Sequence, residues 1–239
     1  MDTIIPIPKN LFLKESNSEN LNFLLRYPKA YVMDNHLAAG WGWLQELNPQ
    51  KTYCLFHIDQ HEDLCNGGDY SLYRHLRENP HVSIKDYTGL EFMSDHIKYK
   101  VFRWDTYIKQ VQRLFPNWFA KCYFSCPNIV RDNSTNMSLN ICYNPTPFEL
   151  YENIDYWVRQ EQCDFIFNLD LDYFFNKGMR IFSDDYIKSF AQDLNKAMDK
   201  IAVLTIALSP ECCGGWGNSI GVFNLLAEEL NVIDQNPFA

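Results

Sequence analysis

No apolar stretch in the 239-residue chain approaches the length needed to cross a bilayer, so a membrane-spanning role is not expected. The opening residues, MDTIIPIPKN, lack a basic region followed by an apolar one; no secretory signal is expected, and the expected location is cytoplasmic. Basic residues are scarce: 21 Lys and Arg against 30 Asp and Glu leave a net charge of −9. Nucleic acid and anionic membranes both call for basic patches, so neither is expected as a partner, and a positively charged ligand suits the chain better. The eight cysteines, at 54, 65, 122, 126, 142, 163, 212 and 213, show no disulfide framework and no paired CxxC zinc pattern. Several lie inside apolar runs, where a reduced thiol behaves as a small hydrophobe, and the adjacent Cys212 and Cys213 are poorly placed to pair with each other. Linkers, internal repeats and low-complexity tracts are also missing. One domain over 1–239 is expected, with no oligomeric state implied.

What is abundant is apolar and aromatic: 46% hydrophobic residues and 15% Phe, Trp and Tyr, enough for a well-filled core. Short apolar runs predict strands at 30–33, 52–58, 121–125, 164–170 and 201–208. Longer amphipathic stretches between them predict helices at 19–26, 37–47, 71–78, 104–115, 147–160, 184–200 and 218–230. The helix from 184 has local support: Ser183 can cap it, Asp184 and Asp185 favour its positive end, and Lys196 and Lys200 suit its last turn. Strands alternating with helices imply an α/β fold, a single three-layer α/β/α domain with a mainly parallel sheet. Segment 80–145 has the least regular pattern.

Two acidic stretches carry the chemistry. His57-Ile58-Asp59-Gln60-His61-Glu62-Asp63 follows one predicted strand, and Asn168-Leu169-Asp170-Leu171-Asp172 ends another. With strand periodicity, Asp59, His61 and Asp63 share one side, as do Asp170 and Asp172. Carboxylates crowded at the ends of hydrophobic strands repel and are poorly solvated unless something cationic sits among them. Two divalent ions, with a charge of about +4, would balance four aspartates. Asp34-Asn35-His36 after the strand at 30–33, and Glu211 after the strand at 201–208, bring further polar groups to strand ends, where α/β sheets bind ligands. His57 reads as a packed or supporting histidine and Glu62 as a solvated charge. Trp41, Trp43 and Trp216 flank these residues, with core packing their commoner use and a peptide-binding surface the alternative.

D-x-H-x-D at Asp59, His61 and Asp63, then D-x-D at Asp170 and Asp172, with a histidine on an earlier strand end, resembles the ureohydrolase superfamily of arginases and agmatinases. The words Asp34-Asn35-His36, Leu169-Asp170-Leu171-Asp172-Tyr173-Phe174 and Leu208-Ser209-Pro210-Glu211-Cys212 are similar to its divergent peptide arginase branch, which converts arginine side chains of ribosomally made precursor peptides to ornithine. The resemblance implies an arginase/deacetylase-like fold and two manganese ions. His36 would ligate one metal and His61 the other, with Asp59 and Asp170 shared and Asp63 and Asp172 completing the two sets. It further implies that Glu211 grips the guanidinium; the chemistry then asks Asp63 to aim the attacking water, and Asp69 is the next carboxylate to examine should Glu211 belong to an exposed turn. The stretch Leu64-Cys65-Asn66-Gly67-Gly68-Asp69-Tyr70 does not match the arginase segment that recognises a free amino acid, so an arginine-containing precursor peptide is the expected substrate. The family's proton-shuttle histidine has no secure counterpart here, and His75 lies in about the right place. The competing expectations are hydrolysis of a small guanidino or amidino compound, deacetylase-type amide hydrolysis on a single zinc, and a non-catalytic metal-dependent binding module.

Overall fold

Side chains of the long central strands divide by the pleat. In the computed structural model, which describes residues 1–127 and 139–239, Phe165, Phe167 and Leu169 enter one core cluster while Ile166 between them enters another. Cys54, Phe56 and Ile58 likewise join the first cluster, and Tyr53 and Leu55 the second. Strands buried on both faces need cover on both, and the helices supply it. Burying each large apolar side chain stabilises the fold by about 1.5–3 kcal/mol.

The principal sheet contains β1 (Asp2–Ile5), β2 (Leu24–Arg26), β3 (Ala30–Met33), β4 (Tyr53–Ile58), β7 (Cys122–Ser125), β8 (Ile141–Tyr143), β9 (Asp164–Asp170) and β12 (Ile201–Ala207). A hairpin of β5 (Glu91–Ser94) and β6 (Ile97–Lys100) and a short ribbon of β10 (Phe175–Asn176) and β11 (Met179–Arg180) stand apart. Strand order in the sheet is β1-β2-β3-β12-β9-β4-β7-β8. Pairing is parallel from β3 through β8 and antiparallel only at the β1–β2–β3 edge.

The helices are α1 (Ala39–Glu46), α2 (Ile84–Thr88), α3 (Tyr107–Leu114), α4 (Pro147–Leu150), α5 (Ile154–Arg159), α6 (Asp184–Lys196) and α7 (Trp216–Glu229). Trp43 of α1 and Val111 of α3 pack in the cluster with Leu55 and Ile166. Val158 of α5, Phe190 of α6 and Phe223 of α7 pack in the cluster with Phe56 and Phe167. The result is an α/β fold around one large, mainly parallel sheet, an arrangement compatible with three layers. No helix among the described residues is long and apolar enough to cross a membrane.

The five predicted strands form within a residue or so of the expected bounds, and Ser183 caps α6 through the Tyr186 amide. Three predicted helices need correction. Segment 19–26 is not helical: Leu24–Arg26 pairs antiparallel with β1 and β3, while the Asn22 amide bonds to Asp34 Oδ1 at 2.9 Å. At 71–78 there are only 3-10 turns, Tyr70–Leu72 and Arg74–Arg77, the first capped by Asp69. The 147–160 helix is split, because Glu152 takes a left-handed conformation (φ 57°) between α4 and α5. Of the irregular segment 80–145, residues 128–138 lie outside the described residues.

The cysteine expectation also needs correction. Cys54 in β4 and Cys163 just before β9 form a disulfide, with Cα atoms 6.1 Å apart. The neighbouring positions of β4 and β9, where Cys54 lies opposite Phe165, bring together two cysteines that are 109 residues apart in sequence. Such a separation hid the pair from spacing arguments. Closing so long a loop restricts the unfolded chain, so Cys163→Ser is expected to lower stability by about 2–4 kcal/mol. Denaturant unfolding of the two proteins checks it, and equal midpoints would show that the bridge contributes nothing.

Candidate metal centre

The same local device shapes three strand exits. After β3, Asn35 Oδ1 accepts the Leu37 amide at 3.0 Å; after β4, Asp59 Oδ1 accepts the His61 amide at 2.6 Å; at the end of β9, Asp170 Oδ1 accepts the Asp172 amide at 2.9 Å. Each is a side chain bonding the backbone two residues on, which bends the chain instead of extending it. Strand alternation beyond Ile58 is therefore not what gathers Asp59, His61 and Asp63. The turn gathers them, and Asp63 completes it in the left-handed region (φ 52°).

Because β3, β12, β9 and β4 are neighbours in the sheet, these turns deliver their side chains to one place. His36 Nδ1 lies 3.0 Å from Asp63 Oδ2, 3.4 Å from Asp170 Oδ2 and 3.5 Å from Asp59 Oδ2. His61 Nδ1 lies 3.3 Å from Asp59 Oδ1 and 3.1 Å from Asp172 Oδ2. Asp59 thus turns one oxygen to each histidine. All six residues proposed as ligands come together. His36, Asp59 and Asp170 have donor atoms close enough to hold a metal ion, as do Asp59, His61 and Asp172, and as do His57, Asp59 and Asp63. Asp59 is 1% exposed, and its Oδ2 is buried without a hydrogen bond. A divalent ion is what a buried, unsatisfied carboxylate oxygen among other carboxylates calls for, so the residues fit a metal.

Electrostatics point the same way. Burial, and then the charges of Asp172, Asp63 and Asp170, hold the Asp59 carboxyl well above the usual range. Burial and then Asp172 push Asp170 up to about 7. Burial disfavours the charged ring of His36, but Asp170 and then Asp63 outweigh it, so its pKa is raised. His61, 58% exposed, is raised to about 9, chiefly by its contact with Asp172. Without a bound cation, protons on these groups would offset their mutual repulsion. A raised folded-state pKa contributes stability that is present at low pH and lost as pH rises, here from about 4 through 7 for Asp170 and from about 6.5 through 9 for His61. Melting temperature of the chelator-treated protein is expected to fall from pH 5 to pH 9, and Mn²⁺ is expected to flatten or reverse that slope. A melting temperature of the treated protein that does not change with pH would contradict this picture.

Supporting residues lie behind the cluster. His57, pushed down to about 4 by burial, donates from Nε2 to the His61 carbonyl oxygen at 3.0 Å and accepts at Nδ1 from Asn168 Nδ2 at 2.9 Å. These bonds suit a supporting role, although His57 Nε2 also lies 3.7 Å from Asp59 Oδ2, within reach of a metal held by Asp59 and Asp63. Asn168 also reaches His36 Nε2 at 3.3 Å and the Tyr107 hydroxyl at 3.0 Å, and its Oδ1 accepts from Thr205 at 2.7 Å. Ser209 donates to Asp170 Oδ2 at 2.6 Å. Sequence reasoning named neither Asn168 nor Ser209 for a role. For Asn168 a signal existed, since two residues before Asp170 on β9 is the same face.

The cluster floors a pocket of about 650 Å³. Leu64, Cys65, Trp104 and Lys109 line it together with Ser209 and Glu211. Glu211 is exposed at this rim, and its Oε1 accepts the Ser16 amide. Glu62, read as a solvated charge, lines the pocket as well. His75 is exposed on a 3-10 turn and does not line the pocket, which removes it as a shuttle candidate. Asp69 is likewise absent from the lining, occupied as a cap. Trp41, Trp43 and Trp216 are buried, their indole N–H groups bonded to Val82 O, Thr205 Oγ1 and Lys14 O, so core packing is their use. The aromatic wall is instead Trp104, for which the sequence held no pointer. No family model, curated protein or solved structure matches this chain.

Proposed function

We propose that the protein is a binuclear manganese hydrolase of arginase-like fold that converts arginine residues within a precursor peptide to ornithine and releases urea. The observation that carries this reading is Asp59 standing between two histidines, Oδ2 towards His36 at 3.5 Å and Oδ1 towards His61 at 3.3 Å. Two donor sets that share carboxylates suit two ions better than one. His36, Asp59, Asp63 and Asp170 would hold the first, and His61, Asp59, Asp170 and Asp172 the second. Oxygen and imidazole donors without thiolate favour manganese over structural zinc. When bound, the two ions would lower the pKa of water in the pocket and offset the aspartate charge.

The chain's own residues account for the remaining steps. Glu211 pairs with the guanidinium and turns its carbon towards the floor. Trp104 and Leu64 give the three methylenes of an arginine side chain an apolar wall. Asp63 accepts a hydrogen bond from the attacking water, takes its proton and returns it to the departing nitrogen. The water oxygen joins the guanidinium carbon, and the bond from that carbon to the side-chain nitrogen breaks as that nitrogen takes the proton from Asp63. The second water proton passes to the same nitrogen as the urea carbonyl forms, leaving a protonated ornithine amine. The 64–70 stretch, with Cys65 and Asn66 forming an open wall, suits a residue carried on a chain.

Mass spectrometry of arginine-containing peptides after incubation with manganese-loaded protein tests the proposal. A peptide lighter by one CH2N2 unit, with matching urea, is the expected product, formed far faster than ornithine from free arginine. Equal specificity constants would remove the peptide preference. Turnover of small guanidino compounds alone would favour that class of substrate instead.

A further inference from the structure

Among the described residues lining the pocket, Lys109 is the one lysine or arginine. Its surroundings there are acidic, yet it makes no ion pair among the described residues. The nearest acid in sequence, Asp105, is occupied: Arg103 holds it with two bonds of 3.0 Å. The pocket wall is also held in place around this lysine. Tyr107, two residues earlier on α3, packs its ring 5.1 Å from the His36 ring and bonds to Asn168. The Cys65 amide bonds to Asp105 O at 2.8 Å, tying the 64–66 wall to the start of α3. A half-buried ammonium without an ion-pair partner among the described residues, held beside a floor that could hold cations, is a site for an anion on the ligand.

Resting on the proposed function for its guanidinium end, we propose that Lys109 is a specificity-determining residue that receives a carboxylate of the substrate while the guanidinium lies over the aspartate cluster. Two sources share this chemistry. One is the α-carboxylate of an arginine whose amino group is acylated, as at a peptide C-terminus. The other is the side chain of an acidic residue next to the arginine. Free arginine satisfies the lysine poorly, because its α-ammonium sits beside its carboxylate and is repelled. The same residue thereby selects for an acylated, chain-borne arginine and against the free amino acid.

Calorimetric titration of manganese-loaded protein with paired ligands tests this, with urea assayed in the same samples. The pairs are Nα-acetylarginine against its amide, and acetyl-Arg-Glu-amide against acetyl-Arg-Gln-amide. Wild-type protein is expected to bind the carboxylate member of one pair about tenfold more tightly, as one partly desolvated charge pair would give. The pair showing it identifies the source of the carboxylate. Lys109→Gln should abolish the difference and Lys109→Arg should retain most of it. The proposal is overturned if neither pair shows a preference, if the preference survives in Lys109→Gln, or if none of the four ligands binds. Urea release without a carboxylate preference would refute the role of Lys109 alone. A preference that depends on Lys109 without urea release would refute the hydrolase reading and leave the carboxylate site standing.

Discussion

Asp59→Asn is expected to abolish the manganese-dependent rise in melting temperature and to lower urea release at least 1000-fold, roughly the loss of an electrostatic element central to the reaction. Asparagine keeps the oxygen that accepts the His61 amide, so the turn after β4 survives. It removes the charge that faces both histidines. In wild-type protein, one ion at a hundred times its dissociation constant adds about 2.7 kcal/mol, or roughly 5–10 °C for a chain of this size. The metal-free variant should melt no lower than metal-free wild type, since Asp59 is buried among Asp63, Asp170 and Asp172 and repels them. This separates a ligand from a structural carboxylate. Calorimetry with and without chelator, together with elemental analysis, reads the outcome. A variant that keeps two ions per chain, or loses stability only in its metal-free form, would contradict the shared-carboxylate arrangement.

Glu211→Gln should do the opposite, leaving metal content and melting behaviour intact while cutting turnover about 100-fold. The carboxylate lies at the rim of the pocket and contributes nothing to the two donor sets. Its Oε1 accepts the Ser16 amide, so the side chain is held in one orientation by the segment before β2, and glutamine's oxygen can accept the same bond. What glutamine lacks is charge for the guanidinium. The loop carrying Glu211 is fixed in turn by Gly214, whose φ of 78° and close approach to Gly178 O leave no room for a side chain. Steady-state kinetics alongside metal analysis checks the split. Near-normal turnover in Glu211→Gln would return the residue to an exposed turn, and Glu62 or Asp105, both in the pocket lining, would be the carboxylates to test next.

Local sequence carried the core strands and the candidate ligands, because burial on both faces writes an unbroken apolar run and the acids and histidines stand where such runs end. Asp164–Asp170 and Ala30–Met33 could be read to the residue, and His36, Asp59, His61, Asp63, Asp170 and Asp172 do converge. Turns made by the Asp59 and Asp170 side chains, and not strand alternation, aim the group. Short edge elements were misread, since the Leu24–Arg26 strand exists only by pairing with β1 and β3 and has no pattern of its own. Groups joined across long separations were out of reach for the same reason. Asn168 supports His36 across 132 residues, Cys54 meets Cys163 across 109, and Ser16 holds Glu211 across 195. By itself the sequence determined the chemistry available to this protein, a set of carboxylates and imidazoles able to hold a metal at the ends of buried strands. The tertiary structure alone decided which groups meet it, placing Trp104 and Lys109 on the wall and leaving His75 and Asp69 outside, because strand order is set by packing the whole sheet and not by any local run.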